Sequence, residues 1–173
     1  MSKAYLIDSN VFLQAKNFHY RFEFCGGFWQ WVHSAHDVGL VYSVAKVKDE
    51  LLAGKKGDAA RAWAENMPDE FFIEDDADAA VMAEYGKLMT WAVGCGQYTP
   101  AAISVFADVK RADAFLIAAA SHHGDCVITH EKSSPEAKSR IPIPNAADAV
   151  GVETMTIFDL LSKHADSTFE FKA

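Results

Sequence analysis

The sequence predicts an α/β fold in which a small parallel sheet lies between two layers of helices. Three observations indicate it: short apolar runs recur along the chain, segments with helical periodicity separate them, and no repeat or linker divides the chain. Its 173 residues are 50% hydrophobic and 12% aromatic, which excludes a disordered protein and suits one packed domain. Strands that alternate with helices favour a parallel sheet covered on both faces, in three layers.

The first strand is expected at residues 5–7, where a Tyr-Leu-Ile run stops at the polar Asp8. Ser9 or Asn10 is then expected to cap a helix that starts near Val11. Because apolar residues precede it directly, Asp8 is predicted to lie at the carboxyl tip of a buried strand.

Aromatic side chains crowd the segment at residues 18–31. Their alternation through residues 18–24 predicts an extended chain, which Gly26 and Gly27 end before a helix at 28–37. We expect these rings to form core or an interface, and stacking on nucleic-acid bases is the alternative. The aromatic residues are Phe18, Tyr20, Phe22, Phe24, Phe28, Trp29 and Trp31.

The rest of the chain continues the alternation of strands and helices. Ser43 is expected to cap a helix after a strand at 40–42, and Asn145 to cap a short helix near the end. Acids at the start of a long helix at 75–93 suit the helix dipole, and Gly124 ends an apolar helix at 112–122. Further helices are expected at 44–53, 58–66, 99–106 and 157–164, and strands at 126–129, at 152–156 and, unless it is a packed loop, at 71–73.

The predicted organisation is a single domain at residues 1–164, followed by a frayed tail at 165–173. No apolar run approaches the ~20 residues that a membrane helix needs. Asp8 also interrupts the beginning of the chain too early for a secretory signal. We therefore expect a soluble, cytoplasmic protein with no membrane partner.

The charge and the cysteines exclude several classes of protein. Lys and Arg number 16 against 24 Asp and Glu, a net charge of −8, which is unsuited to a general nucleic-acid coat protein. This net charge still allows an enzyme that binds nucleic acid at one local site, where bound cations offset the carboxylates. The three cysteines form no Cys-x-x-Cys pair, which excludes a zinc ribbon and a thioredoxin motif.

Motifs for phosphate-cradling loops, serine nucleophiles and zinc proteases do not occur, so acidic residues near strand ends carry the chemical argument. Asp8 and Glu131 each follow a predicted strand, Asp113 begins an apolar helix and Glu50 lies in the helix after the second strand. Ligands of parallel sheets bind at the carboxyl ends of the strands, so all four could converge on one cleft. Converging acids favour a bound Mg²⁺ or Mn²⁺, and two such ions suit phosphodiester hydrolysis.

Each of these acids has an ordinary interpretation when taken alone. Glu50 would lie on a solvated helix face, Asp113 and Asp8 would serve the ends of helices, and Glu131 would be a loop acid. Only the set, in its order along the chain, indicates a site.

Four segments together resemble the successive motifs of PIN-domain nucleases. They are Tyr-Leu-Ile-Asp-Ser-Asn-Val-Phe at 5–12, Asp49-Glu50-Leu51, Ala-Asp-Ala-Phe-Leu-Ile-Ala-Ala-Ala at 112–120 and Val-Ile-Thr-His-Glu at 127–131. The stretches at 14–17, 24–29, 143–145 and 156–161 resemble a poorly characterised PIN-like subfamily of bacteria and archaea. The resemblance spans about residues 4 to 163.

The resemblance implies a metal-dependent nuclease built on a small parallel sheet. Matched residue by residue, Asp8, Glu50, Asp113 and Glu131 are the acidic catalytic and metal-binding positions. Asn10 and Thr129 match polar positions that support the site. Relatives of this type are toxins of toxin–antitoxin pairs, so the implied partners are an RNA substrate, an antitoxin protein and a second copy of the chain.

Two departures from the family pattern bear on the metal. Glu131 stands where many PIN domains have Asp, and Ser133 stands where another acid often follows. One metal, or weak binding of a second, is therefore expected.

Basic residues near the motifs are candidates for binding substrate phosphates. They are Lys16, Arg21, Lys48 and Lys132. The seven histidines are interpreted as structural, and only His130, between Thr129 and Glu131, is expected beside the site.

Other functions compete with an endoribonuclease. A phosphatase of the haloacid dehalogenase type needs an acid two residues after Asp8, where Asn10 cannot act as general acid. A degenerate module could instead bind a partner through the aromatic segment, without catalysis. A structure-specific DNA nuclease is a third alternative, although no basic clamp is evident in the sequence.

Overall fold

A computed structural model describes residues 3–166 and shows an all-parallel sheet of five strands with helices on both faces. This confirms the predicted three-layer α/β fold. The strands stand in the order β3-β2-β1-β4-β5. They are β1 (Tyr5–Ile7), β2 (Val41–Val44), β3 (Phe72–Ile73), β4 (Cys126–Ile128) and β5 (Thr154–Met155).

The helices fill the connections between these strands. None of those in residues 3–166 is long and apolar enough to cross a membrane. From residue 167 onward, the predicted tail lies outside the described part of the chain. The helices are α1 (Ser9–Gln14), α2 (Gly26–Asp37), α3 (Ala45–Leu52), α4 (Ala59–Asn66), α5 (Ala79–Gly94), α6 (Pro100–Phe106), α7 (Asp113–His123), α8 (Ile143–Ala149) and α9 (Ile157–His164).

The strand order creates a crevice beside β1. From β1 the chain builds the sheet outward through β2 and β3, then returns to place β4 on the other side of β1. Ile7 and Ile128, the last residues of β1 and β4, are paired. Connections leave these two strands in opposite directions, and such a point is where parallel sheets bind ligands.

The core lies on both sides of the central strands. Leu6 and Ile7 of β1 are fully buried, and α7 packs against the sheet and against α5. All residues from 114 to 120 in α7 are buried, as expected of a helix that is apolar on every side. Gly124 ends it in the left-handed conformation at φ 76°, as predicted.

Two predicted helix starts are wrong because side chains find other partners. α1 begins at Ser9, so neither Ser9 nor Asn10 is its cap. Ser43 lies inside β2, where its hydroxyl donates to the carbonyl of Ile7 at 2.6 Å, and α3 starts only at Ala45. Thr99 caps α6, and Thr156 and Asp159 cap α9 reciprocally, at helix starts that the sequence predicted without their caps.

The aromatic segment is not extended, which corrects the prediction for residues 18–24. A π-helical stretch, Ala15–His19, continues α1, and irregular turns follow it. They lead to α2, which begins at Gly26 and not at the predicted residue 28. The rings pack on one another: Phe22 stacks on Trp29 with centroids 4.0 Å apart. The alternation in the sequence therefore reflects packing between rings and not the pleat of a strand.

Two further corrections concern polar residues that sequence reasoning assigned to helix starts. Asp78 caps α5, and Asp75, which was expected in its first turn, precedes the helix and lies buried against Lys46. Asn145 lies within α8, where its side-chain amide donates to Tyr98 Oη and to the carbonyl of Ser134.

Candidate functional site

Asp8 lies at the centre of the crevice, directly after β1. Its backbone N–H donates to the carbonyl of Ile128 at 2.9 Å, which fixes it between β1 and β4. Its side chain is fully buried. Thr129 Oγ1 donates to Oδ2 at 3.0 Å, and the Ser9 hydroxyl lies 3.5 Å from Oδ1. Asp8 does occupy the N-cap position of α1, but its carboxylate accepts no N–H group of that helix.

The surroundings of Asp8 disfavour its charge. Burial raises its pKa to about 7, and the negative charges of Asp113, Glu131 and Glu50 raise it as well. The hydrogen bond from Thr129 opposes this rise. Within residues 3–166, no basic side chain forms an ion pair with Asp8. The four sequence-predicted acids are thus close enough to act on one another.

Asp113 opens α7 at the same edge of the sheet. Burial raises its pKa, Glu131 and Glu50 add to that rise, and Arg111 and Arg140 oppose it. Arg111 Nη2 lies 4.0 Å from its Oδ2. The helix N-terminus favours negative charge, which offsets part of the cost of burying this carboxylate.

Glu50 links the starts of two helices. Its Oε2 accepts the Ser9 hydroxyl at 2.5 Å, and its Oε1 accepts the backbone N–H of Ala112 at 3.0 Å. These bonds turn the side chain inward from α3, so the solvated-face interpretation is wrong. Glu50 holds α1 and α7 together beside Asp8 and Asp113.

Glu131 closes the site from the loop after β4. Its backbone N–H donates to Thr129 Oγ1 at 3.1 Å, so one hydroxyl touches both Glu131 and Asp8. The carboxylate accepts the N–H of Ile143 at 2.8 Å and pairs with Arg140 at 2.8 Å. Glu131 is therefore a positioned group and not a free loop acid.

Two arginines beside the acids are functional candidates that sequence reasoning missed. Arg111 and Arg140 line a pocket of about 230 Å³ together with Asp113 and Glu131. Arg111 precedes Asp113 by two residues, which is the only sequence signal for it. Arg140 lies in the loop between β4 and α8 and belongs to no motif, so nothing local could have indicated it.

The other predicted site residues differ in whether they contact the four acids. Thr129 contacts the acids as described, whereas Asn10 is exposed on the first turn of α1. Lys16 pairs with Asp58 and Arg21 with Glu23, and both line a separate pocket of about 450 Å³.

The last two predicted phosphate binders also lie apart from the acids. Lys48 pairs with Asp69 at 2.8 Å. Lys132 is exposed and forms no ion pair within residues 3–166. None of the four predicted basic residues forms an ion pair with the four acids in that part of the chain.

The donor chemistry suits a hard divalent cation, although the side chains are not set in a coordination shell. Within residues 3–166, no three His, Cys, Asp or Glu groups are arranged to hold a metal ion as they stand. The reason lies in the bonds of Glu50 and Glu131, whose oxygens are taken by N–H groups, a hydroxyl and Arg140. The oxygen donors and the uncompensated charge of Asp8 still fit Mg²⁺ or Mn²⁺.

Comparison with known proteins gives a family but no activity. The model of a family described as a domain of unknown function (DUF4411) matches residues 5–169, nearly the whole chain. A search of curated proteins finds no match.

Proposed function

The chain belongs to the DUF4411 family of unknown function, and we propose, from its site, that it is a metal-dependent endoribonuclease. The proposal rests on one observation: Asp8, Asp113, Glu131 and Glu50 interact at the crevice between β1 and β4, and Asp8 is buried there with no basic partner in the described residues. Repulsion of this kind destabilises a fold unless a bound cation relieves it.

Asp8, Asp113 and Glu131 would hold Mg²⁺ or Mn²⁺, and Glu50 would complete the set or orient a water. When bound, the ion supplies a polarised phosphoryl oxygen and a water of lowered pKa, which are the needs of phosphodiester hydrolysis. Asp8 is already oriented by Thr129, and Glu50 by Ser9 and the N–H of Ala112. Such prior orientation is what a catalytic site requires of its ligands.

Arg140 and Arg111 are the residues best placed to bind the scissile phosphate. Each is about half exposed, and each now lies against a site carboxylate. A cation on the carboxylates would weaken their hold on the guanidinium groups, which would then meet a phosphate with the paired N–H geometry that it favours. The site would thereby exchange internal ion pairs for substrate contacts.

The biological setting is proposed from the resemblance to PIN-domain nucleases. It supports RNA as the substrate, a toxin of a toxin–antitoxin pair as the role, and an antitoxin protein and a second copy of the chain as partners. A cytoplasmic location belongs to the same proposal, since RNA targets and an antitoxin are found there.

Cleavage of structured and unstructured RNA by the purified protein, with Mg²⁺, Mn²⁺ or EDTA, tests the proposal. We expect metal-dependent cutting that Asp8→Asn reduces at least about 1,000-fold, because the variant lacks a charged metal ligand. Asp148→Asn is the matched control, since Asp148 is exposed on α8, and it should cut like the natural protein.

The outcomes separate the alternatives. Cutting of DNA but not of RNA would favour a DNA nuclease. No cutting, together with no rise of the melting temperature in Mn²⁺, would refute the metal site and favour a partner-binding module. Equal activity of Asp8→Asn and Asp148→Asn would refute the assignment of the site.

A further inference from the structure

Three rings gather at His130, the neighbour of Glu131 in sequence. The ring centroids of His19 and His130 are 6.0 Å apart, those of His130 and Phe158 5.4 Å, and those of His19 and Phe158 5.3 Å. His130 lies between Thr129 and Glu131 in sequence, so the cluster adjoins the carboxyl end of β4. We name these three residues the ring cluster.

The ring cluster is partly open to solvent, since His19 is exposed and His130 half-buried, unlike most of the aromatic segment. Phe158 is 42% exposed, and Phe18, whose centroid lies 6.4 Å from that of His19, is 66% exposed. In the same segment Phe28 and Trp29 are 5% and 4% exposed. Since burying an aromatic ring stabilises a fold, rings left exposed beside a candidate active site indicate a contact surface.

An apolar groove continues from the ring cluster. Its volume is about 420 Å³, and Phe158 lines it together with Tyr20, Phe28 and Trp31. A flat ring that stacks on Phe158 can therefore be followed by a second one in the groove. Successive aromatic side chains along one surface are how proteins bind consecutive bases of a single strand.

The charge of the protein indicates why stacking would be needed. The net charge is −8, and Lys16, Arg21 and Lys48 are each paired with an acid of the chain. Binding of nucleic acid through phosphates is therefore opposed by the net charge and by the ion pairs of these three residues. Aromatic stacking does not depend on charge and is available to every base.

We propose that His19, His130 and Phe158 form a stacking site for unpaired bases of the RNA next to the phosphate that is cut. This rests on the proposed nuclease function and adds to it the substrate class: single-stranded RNA, or a loop, because bases within a duplex are already stacked and cannot splay out.

The test measures binding of a short single-stranded RNA that carries 2-aminopurine, whose fluorescence falls when it stacks. Asp8→Asn serves as the background because it removes cleavage. Adding Phe158→Ala should weaken binding about tenfold and abolish the quenching, and Phe158→Trp should restore both. Because stacking releases no counterions, the dependence of affinity on salt should keep its slope.

Phe24→Ala is the matched control. Phe24 is 60% exposed in the same segment, and it is absent from the ring cluster, so its removal should leave binding and quenching unchanged. His19→Ala should weaken binding as Phe158→Ala does, and since His19 is exposed, its melting temperature should stay near that of the background.

The stacking site and the nuclease function fail in different ways. Unchanged affinity and quenching in Phe158→Ala would overturn the stacking site and leave the rings to a protein partner, even if the natural protein cuts RNA. Absence of cleavage by the natural protein, with RNA binding that still depends on Phe158, would overturn only the nuclease. Preference for a duplex over a single strand would also overturn the stacking site.

Discussion

Two aspartates lie just beyond strands of the same sheet, and both are buried, yet their surroundings differ. Asp75 follows β3 and is 1% exposed, and Asp8 follows β1 and is 0% exposed. Asp75 accepts the backbone N–H groups of Lys46 and Asp76 at 2.9 and 2.6 Å, and Lys46 Nζ lies 3.4 Å from it. Asp8 has two hydroxyl contacts and three acidic neighbours.

The difference separates structural burial from burial that points to a ligand. The charge of Asp75 is compensated inside the chain, so its role is to hold β3 against α3. The charge of Asp8 is not compensated by any ion pair in the described residues, so a cation from outside would stabilise it. A buried acid therefore indicates a ligand site only when no neighbouring group compensates its negative charge.

Removing the lysine that compensates the charge of Asp75 should have the largest effect on stability. Lys46→Met removes the ammonium and leaves Asp75 buried and unpaired, which costs about 3–5 kcal/mol in the free energy of unfolding. Urea denaturation measures it. Lys48→Met is the control, because Lys48 pairs with an Asp69 that is 93% exposed, and its loss should cost less than about 1 kcal/mol. Equal costs would contradict the comparison.

Removing the charge of Asp8 should raise the stability of the protein instead of lowering it. At pH 8 without metal, Asp8→Asn should stabilise the protein by up to about 4 kcal/mol, because a pKa raised from 3.8 to about 7 means that folding penalises the ionised carboxylate by about that free energy. The Asn oxygen still accepts from Thr129. Adding Mn²⁺ should raise the melting temperature of the natural protein and not of the variant. A destabilised Asp8→Asn would show that the charge of Asp8 is compensated after all.

The gain from Asp8→Asn should also depend on pH. A carboxyl whose folded pKa is raised stabilises the fold while it is protonated, and that contribution is lost as the pH rises from about 4 through about 7. The difference in unfolding free energy between the variant and the natural protein should therefore be small at pH 4 and largest at pH 8. Denaturation in EDTA at both values measures it, and a difference that is constant with pH would exclude Asp8 as its source.

The smallest effect should come from the arginine pocket. Arg140→Gln should raise KM about tenfold and make the slope of log affinity against log salt less negative by about 1, because one phosphate contact is lost. Its stability should change by only about 1 kcal/mol, because Arg140 is 61% exposed and Glu131 keeps its hydrogen bond from the N–H of Ile143. Arg61→Gln is the control, since Arg61 pairs with Glu65 on α4. Equal kinetics of the two variants would remove Arg140 from the site.

Local signals made part of this architecture predictable. The apolar run before Asp8 placed it at a strand tip, and Gly124 marked a helix end that the structure confirms. The strand order then brings Asp8 and Glu131 together, because the carboxyl ends of neighbouring parallel strands share one edge. The nearness of these acids was therefore accessible from the sequence, and their role as metal ligands stays a prediction.

The features that the sequence did not predict depend on partners that are distant along the chain. Asp75 looked like a helix-start acid until Lys46, 29 residues earlier, proved to be its partner. Arg140 carries no local pattern, and only the folded loop brings it to Glu131. The rings of residues 18–24 alternate like a strand, but their stacking on rings of α2 decides their conformation. Each case depends on tertiary contacts that outweigh local preference.

The central position of β1 has a consequence for the newly made chain. β1 pairs with β4, and Asp8 receives its hydrogen bond from Thr129, 121 residues later. At synthesis rates of about 5–20 residues per second, roughly 6–24 s pass between the two. During that interval Asp8 has neither the hydrogen bond from Thr129 nor Glu131 beside it, so whatever this edge of the sheet does, it begins only after β4 and the residues that follow it have been made.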